Sequence, residues 1–234
     1  MAEVLEETRI GVFVVAESTI LRQGILSLIS QNEDMEVVGQ AGGKAETFSV
    51  AADVAQRTIA LVAIDPRGSL DTVYRLKEGS PGVPVVVLAE YHNDDILFQA
   101  ILAGAAAFVT TRSSGGELVD TIRRVYRREQ VAVQNVVDRP HVASQIMEHF
   151  QRLLSMTDGL GLLVATLSPA EEQVLRLIAD GEPVSAIATS LNTSEQVIRT
   201  RIGSVLNKLD VNERTSKVIQ KLRRGFGETR LQPQ

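Results

Sequence analysis

From Arg9 to about Glu129, short β-branched runs alternate with amphipathic stretches, the pattern of a parallel sheet covered by helices. Five runs predict strands at Ile10–Val15, Met35–Gly39, Ile59–Ile64, Val83–Leu88 and Ala106–Val109, with Val- and Ile-rich interiors suited to burial on both faces. The stretches between them carry helical periods. Ile20, Leu21, Ile25, Leu28 and Ile29 share one face after the first strand, and Leu118, Ile122 and Val125 share another after the fifth.

Beyond this alternation, Gln130–Arg139 has no clean period, Pro140 opens a connector helix through Ser155, and the glycine-containing Asp158–Gly161 reads as a hinge. From Leu167 onward no strand pattern occurs, and a small all-helical domain of about four helices is expected. Ser168, Pro169 and Glu171 combine a hydroxyl N-cap, a proline at the first helical position and an acidic third position; Val174, Leu175 and Ile178 give that helix an apolar face, and Asp180-Gly181 ends it. A second helix is expected over Val184–Leu191, with Ile187, Ala188 and Leu191 inward. Asn192-Thr193 then turns the chain, and Ser194 caps a third helix to about Leu209 with a buried stripe of Ile198, Ile202, Val205 and Leu209.

Two helices joined by a turn of this length predict a helix-turn-helix whose second helix offers its N-terminal residues to the DNA major groove. Arg199, Thr200 and Arg201 lie on the polar side of that helix. Arginine can bond guanine bidentately, threonine can meet a base edge or a thymine methyl, and a helix N-terminus with Ser194 suits a phosphate. Lys208 is expected beside the DNA backbone. The same residues fit the solvated face of an amphipathic helix equally well on spacing alone.

Charge sharpens the division of the chain. The net charge is −5, but residues 1–164 hold 14 Lys and Arg against 21 Asp and Glu, whereas residues 165–234 hold 10 against 8. Only the C-terminal part approaches phosphates comfortably. The absence of cysteine excludes disulfides, thiolate metal sites and thiol redox sensing. The acidic Met1–Glu7 and the lack of a long apolar run lead to the expectation of a cytoplasmic protein.

The run Leu167-Ser168-Pro169-Ala170-Glu171-Glu172-Gln173-Val174-Leu175, together with Ser194-Glu195-Gln196-Val197-Ile198-Arg199-Thr200-Arg201-Ile202, Leu206-Asn207-Lys208-Leu209 and Asn212-Glu213-Arg214-Thr215, resembles a LuxR-type helix-turn-helix domain over about Leu167–Leu222. The resemblance implies double-stranded DNA as partner, a homodimer built on a last helix, and an inverted repeat as target. Two departures stand out. Val184, Ser185 and Ala186 replace a usual Asn, Lys and Glu, removing a backbone-contacting lysine, and Gly203 replaces a longer polar side chain.

Leu21-Arg22-Gln23-Gly24-Ile25, Glu36-Val37-Val38-Gly39-Gln40-Ala41 and Ala103-Gly104-Ala105-Ala106-Ala107-Phe108 resemble the receiver domain of NarL-class response regulators, over about Arg9–Glu129. The implied fold is a flavodoxin-like five-stranded parallel sheet, followed by a linker over 130–164 and the all-α four-helix domain over 165–225. Receiver chemistry needs acids after the first strand to hold Mg²⁺, an aspartate after the third, a hydroxyl after the fourth and a lysine after the fifth. By the resemblance these positions hold Ala16 and Glu17, Asp65, Ala89 and Thr111. Any Mg²⁺ would rest on Glu17 and Asp65 alone. Asp65 reads either as a residual phosphoacceptor or, with Pro66, as a turn.

Other chemistry is sparse. His92, His141 and His149 have no metal-ligand grouping, and Gly39-Gln40-Ala41-Gly42-Gly43 lacks the spacing of a phosphate loop. No enzyme and no cofactor are expected. The reading is a DNA-binding transcriptional regulator with an atypical receiver working without Asp phosphorylation, in which a protein or small ligand could take over the eroded pocket. The alternatives are a conventional regulator phosphorylated at Asp65 and an interaction adaptor that does not bind DNA.

Overall fold

In the computed structural model, which describes residues 9–42, 57–64, 69–157 and 165–228, the apolar runs of the N-terminal part become strands buried on both faces. They are β1 (Ile10–Val15), β2 (Met35–Ala41), β3 (Thr58–Ala63), β4 (Val85–Ala89) and β5 (Ala107–Thr110), each within two or three residues of its expected bounds. All pairings are parallel and the order is β2-β1-β3-β4-β5, a doubly wound sheet. The described helices of this part are α1 (Thr19–Ser30), α2 (Asp71–Gly79), α3 (Asp94–Leu102), α4 (Gly115–Tyr126) and α5 (Val131–Val137). The last falls in a stretch where no helix was expected. With seven residues it is too short for a period to be read.

Alternation along the strands builds two apolar faces. Val12, Val14, Leu61, Val86, Leu88 and Val109 pack with Ile25 and Ile29 of α1 and with Leu118, Val119, Ile122 and Val125 of α4. The intervening Val15, Ala60, Val62, Val85, Val87 and Phe108 are equally buried, as parallel sheets require. Gly39 is dictated by contact: a Cβ there would stand 2.6 Å from the Phe13 ring. Polar residues fasten the edge of this layer, where Arg123 of α4 donates to both carboxylate oxygens of Asp34 (2.7 and 2.9 Å) and to Asn32 (3.1 Å). The guanidinium holds the Asp34 carboxyl below its ordinary range.

The chain divides into two compact units, one through Asn135 and one from Val136. The second is helical: α6 (Pro140–Thr157), α7 (Pro169–Ala179), α8 (Val184–Ser190) and α9 (Glu195–Glu228). Val142, Ala143, Ile146 and Phe150 make the buried stripe of α6, which packs against α7. The expected hinge at Asp158–Gly161 lies outside the described residues. The expected boundary between a recognition helix and a separate last helix is absent. α9 runs unbroken for 34 residues, because no glycine or proline occurs between Ser204 and Arg224 and the pair Arg214–Asp210 (2.6 Å) spans the expected break. Three helices, not four, therefore make up the described part of 165–228.

Ile122 is fully buried at the centre of the first unit's core. Ile122→Ala is expected to lower unfolding stability by about 2–5 kcal/mol in a urea titration. A loss below about 1 kcal/mol would place the core elsewhere.

Candidate nucleic-acid interface

The turn between α8 and α9 is set by local chemistry. Asn192 takes the left-handed conformation (φ 47°), the amide of Thr193 donates to Ala188 O (2.9 Å) and that of Asn192 to Thr189 O (3.1 Å), which satisfies the last carbonyls of α8. Gly181 ends α7 in the same way, at φ 86°. Two residues after Asn192, Ser194 caps α9 by accepting the Val197 amide (3.3 Å). α9 then buries Ile198, Ile202, Val205 and Leu209 beside the buried Val174, Leu175 and Ile178 of α7 and Ile187 and Ala188 of α8. Two helices, a tight turn and a third packing helix thus hold the first turns of α9 at the surface.

One buried acid fixes the angle of α9. Glu171, only 6% exposed, closes the capping box of α7 by accepting the Ser168 amide (2.7 Å). It also accepts from Ser204 Oγ (2.6 Å) and Lys208 Nζ (2.6 Å) of α9. Burial alone would raise its carboxyl, but the hydrogen bonds from Lys208, Ser204 and Ser168 more than reverse this and hold it down at about 2. A turn further along, the Asn212 side chain accepts from Ala165 N (2.8 Å) and donates to Ala165 O (2.9 Å).

This arrangement redistributes the residues expected to meet DNA. Ser194 and Thr200 are exposed, and Arg199 and Arg201 are half-buried, all on the first two turns of α9. Arg199 lies 3.7 Å from Glu195, and Thr200 donates its hydroxyl to Gln196 O (2.8 Å). Lys208 is not with them. Its ammonium is engaged by Glu171 and by Thr166 O (2.9 Å), about a third of a turn round the helix from Gln196. Its geometry is that of a tie between helices, not of a cation awaiting a phosphate. The sequence shows Glu171 only as part of the α7 cap and gives no sign of its ties to Ser204 and Lys208 or of the Asn212 contact, because nothing in a helical period marks which polar residues meet across helices.

In the first unit, the carboxyl edge of the sheet carries little chemistry among the described residues. Ala16 is buried and its carbonyl accepts from the Arg22 guanidinium, while Glu17 is exposed. Val15 pairs with Val62, which brings Ala16 level with Ala63, the last residue of β3; Ala63 in turn pairs with Leu88. Ala89 and Thr110 end β4 and β5 side by side, and the buried Thr110 hydroxyl has no hydrogen-bond partner among the described residues. Thr111 is exposed and donates to Glu90 O (3.3 Å). Asp65 lies outside the described residues, two positions beyond the end of β3.

The histidines are scattered: His141 is exposed, His92 lies 6.4 Å from the Phe108 ring, and His149 Nε2 is 3.0 Å from Glu213 Oε1. Among the described residues no group of three His, Cys, Asp or Glu could hold a metal ion, and no helix is long and apolar enough to cross a membrane.

Residues 165–220 match the family of bacterial regulatory proteins described as the luxR family. The chain is similar to the response regulator protein VraR of Staphylococcus epidermidis, 24% identical over 211 residues that span 90% of this chain and 95% of that protein. It is likewise similar to the transcriptional regulatory protein YdfI of Bacillus subtilis, 26% identical over 217 residues spanning 92% of this chain and 96% of the other. Among solved structures, the response regulator ChrA of a heme-sensing two-component system aligns over 92% of this chain and 99% of its own, at 18% identity and a TM-score of 0.44. A Salmonella typhimurium RcsB response regulator aligns over 86% and 90%, at 22% identity and a TM-score of 0.41.

The Glu171 cluster has a pH signature. A carboxyl at about 2 when folded, against an ordinary 4.5, stabilises the fold fully above the ordinary value, and that contribution is lost as pH falls from 4.5 toward 2. Its size is on the order of 3 kcal/mol. Glu171→Gln should remove it at neutral pH and flatten the acid limb of a stability-against-pH profile measured by chemical denaturation. Unchanged stability at pH 7 would contradict the assignment.

Proposed function

We propose that this chain, whose residues 165–220 form a LuxR-type helix-turn-helix domain, is a DNA-binding transcriptional response regulator that works without phosphoryl transfer to its N-terminal unit. The observation that carries the second half of this reading is the carboxyl edge of the sheet, where Ala16, Ala63 and Ala89 end or follow three adjacent strands. Phosphoryl transfer through Mg²⁺ needs several oxygens in near-octahedral array and cations to neutralise the moving charge. Alanines supply neither. Arg22 adds a fixed positive charge at the Ala16 carbonyl, which opposes a divalent cation there.

The register brings Ala63 level with Ala16, so the residue that ends β3 beside the end of β1 carries no carboxylate to accept a phosphoryl group. The fold is then retained as a frame for dimerisation, or for a protein or small ligand, in place of a phosphorylation switch.

For the output, the first turns of α9 supply Ser194 at a helix N-terminus suited to a phosphate, Arg199 and Arg201 as cations, and Thr200 as a base-edge contact. Lys208 is left out of this set, since its ammonium is held by Glu171. The resemblance to LuxR-type domains supports a homodimer on an inverted repeat.

Protein never exposed to a phosphodonor should enrich an inverted repeat from genomic fragments at near-physiological salt. Arg199→Ala should weaken binding to that repeat about tenfold or more with its melting temperature unchanged. Acetyl phosphate should leave no label on the protein. Label that disappears in Asp65→Ala would instead establish conventional phosphorylation, and full repeat affinity in Arg199→Ala would remove the recognition role.

A further inference from the structure

Helical phase divides the surface of α9 into stripes. Opposite the buried Ile198, Ile202, Val205 and Leu209 run the exposed Gln196, Thr200 and Asn207, spaced as one outward line. Gly203, at the same helical phase, is buried and has no side chain to offer, and Asn207 stands about 16 Å along the helix from Gln196. Since a helix-turn-helix presents the N-terminal end of its second helix to base edges, the outward line reaches bases through Gln196 and Thr200.

The two differ in what they have left to give. The Thr200 hydroxyl proton is already donated to Gln196 O at 2.8 Å, leaving oxygen lone pairs and a methyl group. The Gln196 side chain is exposed and makes no hydrogen bond among the described residues, so both its N–H donors and its carbonyl oxygen are unengaged. A carboxamide pairs bidentately with the N6 and N7 atoms of adenine. Beside it, Val197 leaves an apolar side chain 39% exposed on the same turn, which suits a thymine methyl and cannot bond a phosphate.

We infer that Gln196 is a specificity-determining residue that reads the adenine of an A·T pair in each half-site, with Val197 against a thymine methyl of the same step and Arg199 set toward an adjoining guanine. This rests on the DNA-binding reading above and adds to it the composition of the target. Arg199 lies on the flank of the outward line, 3.7 Å from Glu195, so the carboxamide occupies the central reading position.

The test is selection of a random duplex library by the full-length chain at one fixed salt concentration, with wild type, Gln196→Ala and Gln196→Glu side by side. All three should melt alike, because the side chain is exposed. The wild-type motif should contain an A·T pair that Gln196→Ala no longer distinguishes, a loss of about tenfold at that position alone. Gln196→Glu should shift the preference there toward cytosine, whose amino group a carboxylate accepts. A motif unchanged in both variants overturns the role of Gln196 and leaves DNA binding standing. No motif from the wild type overturns the DNA-binding reading and this inference together.

Discussion

The angle at which α9 meets the rest of its unit depends on a single buried carboxylate. Glu171 completes the cap of α7 and accepts from two residues of α9 one turn apart, so the start of one helix and the middle of another are set by the same two oxygens. Apolar packing along Ile198, Ile202, Val205 and Leu209 supplies most of the stabilisation, but such a stripe tolerates sliding and rotation. A charged, fully satisfied network does not. Losing one partner would leave a buried charge uncompensated, which costs more than the pair contributes net. The exposed first turns of α9 inherit their orientation from this constraint.

The other unit shows how far a frame and its chemistry can separate. Both faces of the sheet are packed and its five strands keep the doubly wound order, yet among the described residues the strands at the edge where ligands bind in such sheets end on or run into the alanines Ala16, Ala63 and Ala89. An arginine satisfies a carbonyl there, and a buried threonine hydroxyl has no partner among the described residues. Fold and function are separable in this way because the core is held by side chains between the layers, whereas reactivity resides in a few residues at the strand ends.

The strands and most helices were legible in the sequence because burial on a sheet or along a helical face leaves a period in the residues themselves. The helix-turn-helix was legible through Ser168-Pro169, Gly181 and Ser194, whose roles are local. Lys208 misled for a physical reason: a lysine on an amphipathic helix has one sequence appearance whether it faces water, phosphate or a buried glutamate. The sequence leaves Asp65 open between a phosphoacceptor and a turn because strand pairing is a long-range property, and only the register of β1 with β3 aligns Ala16 with Ala63. The length of α9 was missed because reading by likeness supplied a break where this chain has no residue to make one.

That length has a mechanical meaning. At 34 residues α9 is a rod of about 50 Å without a joint, so its N-terminal end and its far end turn as one body. Whatever grips the far end therefore acts with a long lever arm. A tilt of a few degrees there moves the leading turn by several ångströms, comparable with the rise of a single base pair. Two copies joined through such rods would carry the distance between their half-sites as a rigid dimension, with no elastic element to absorb an inserted base pair.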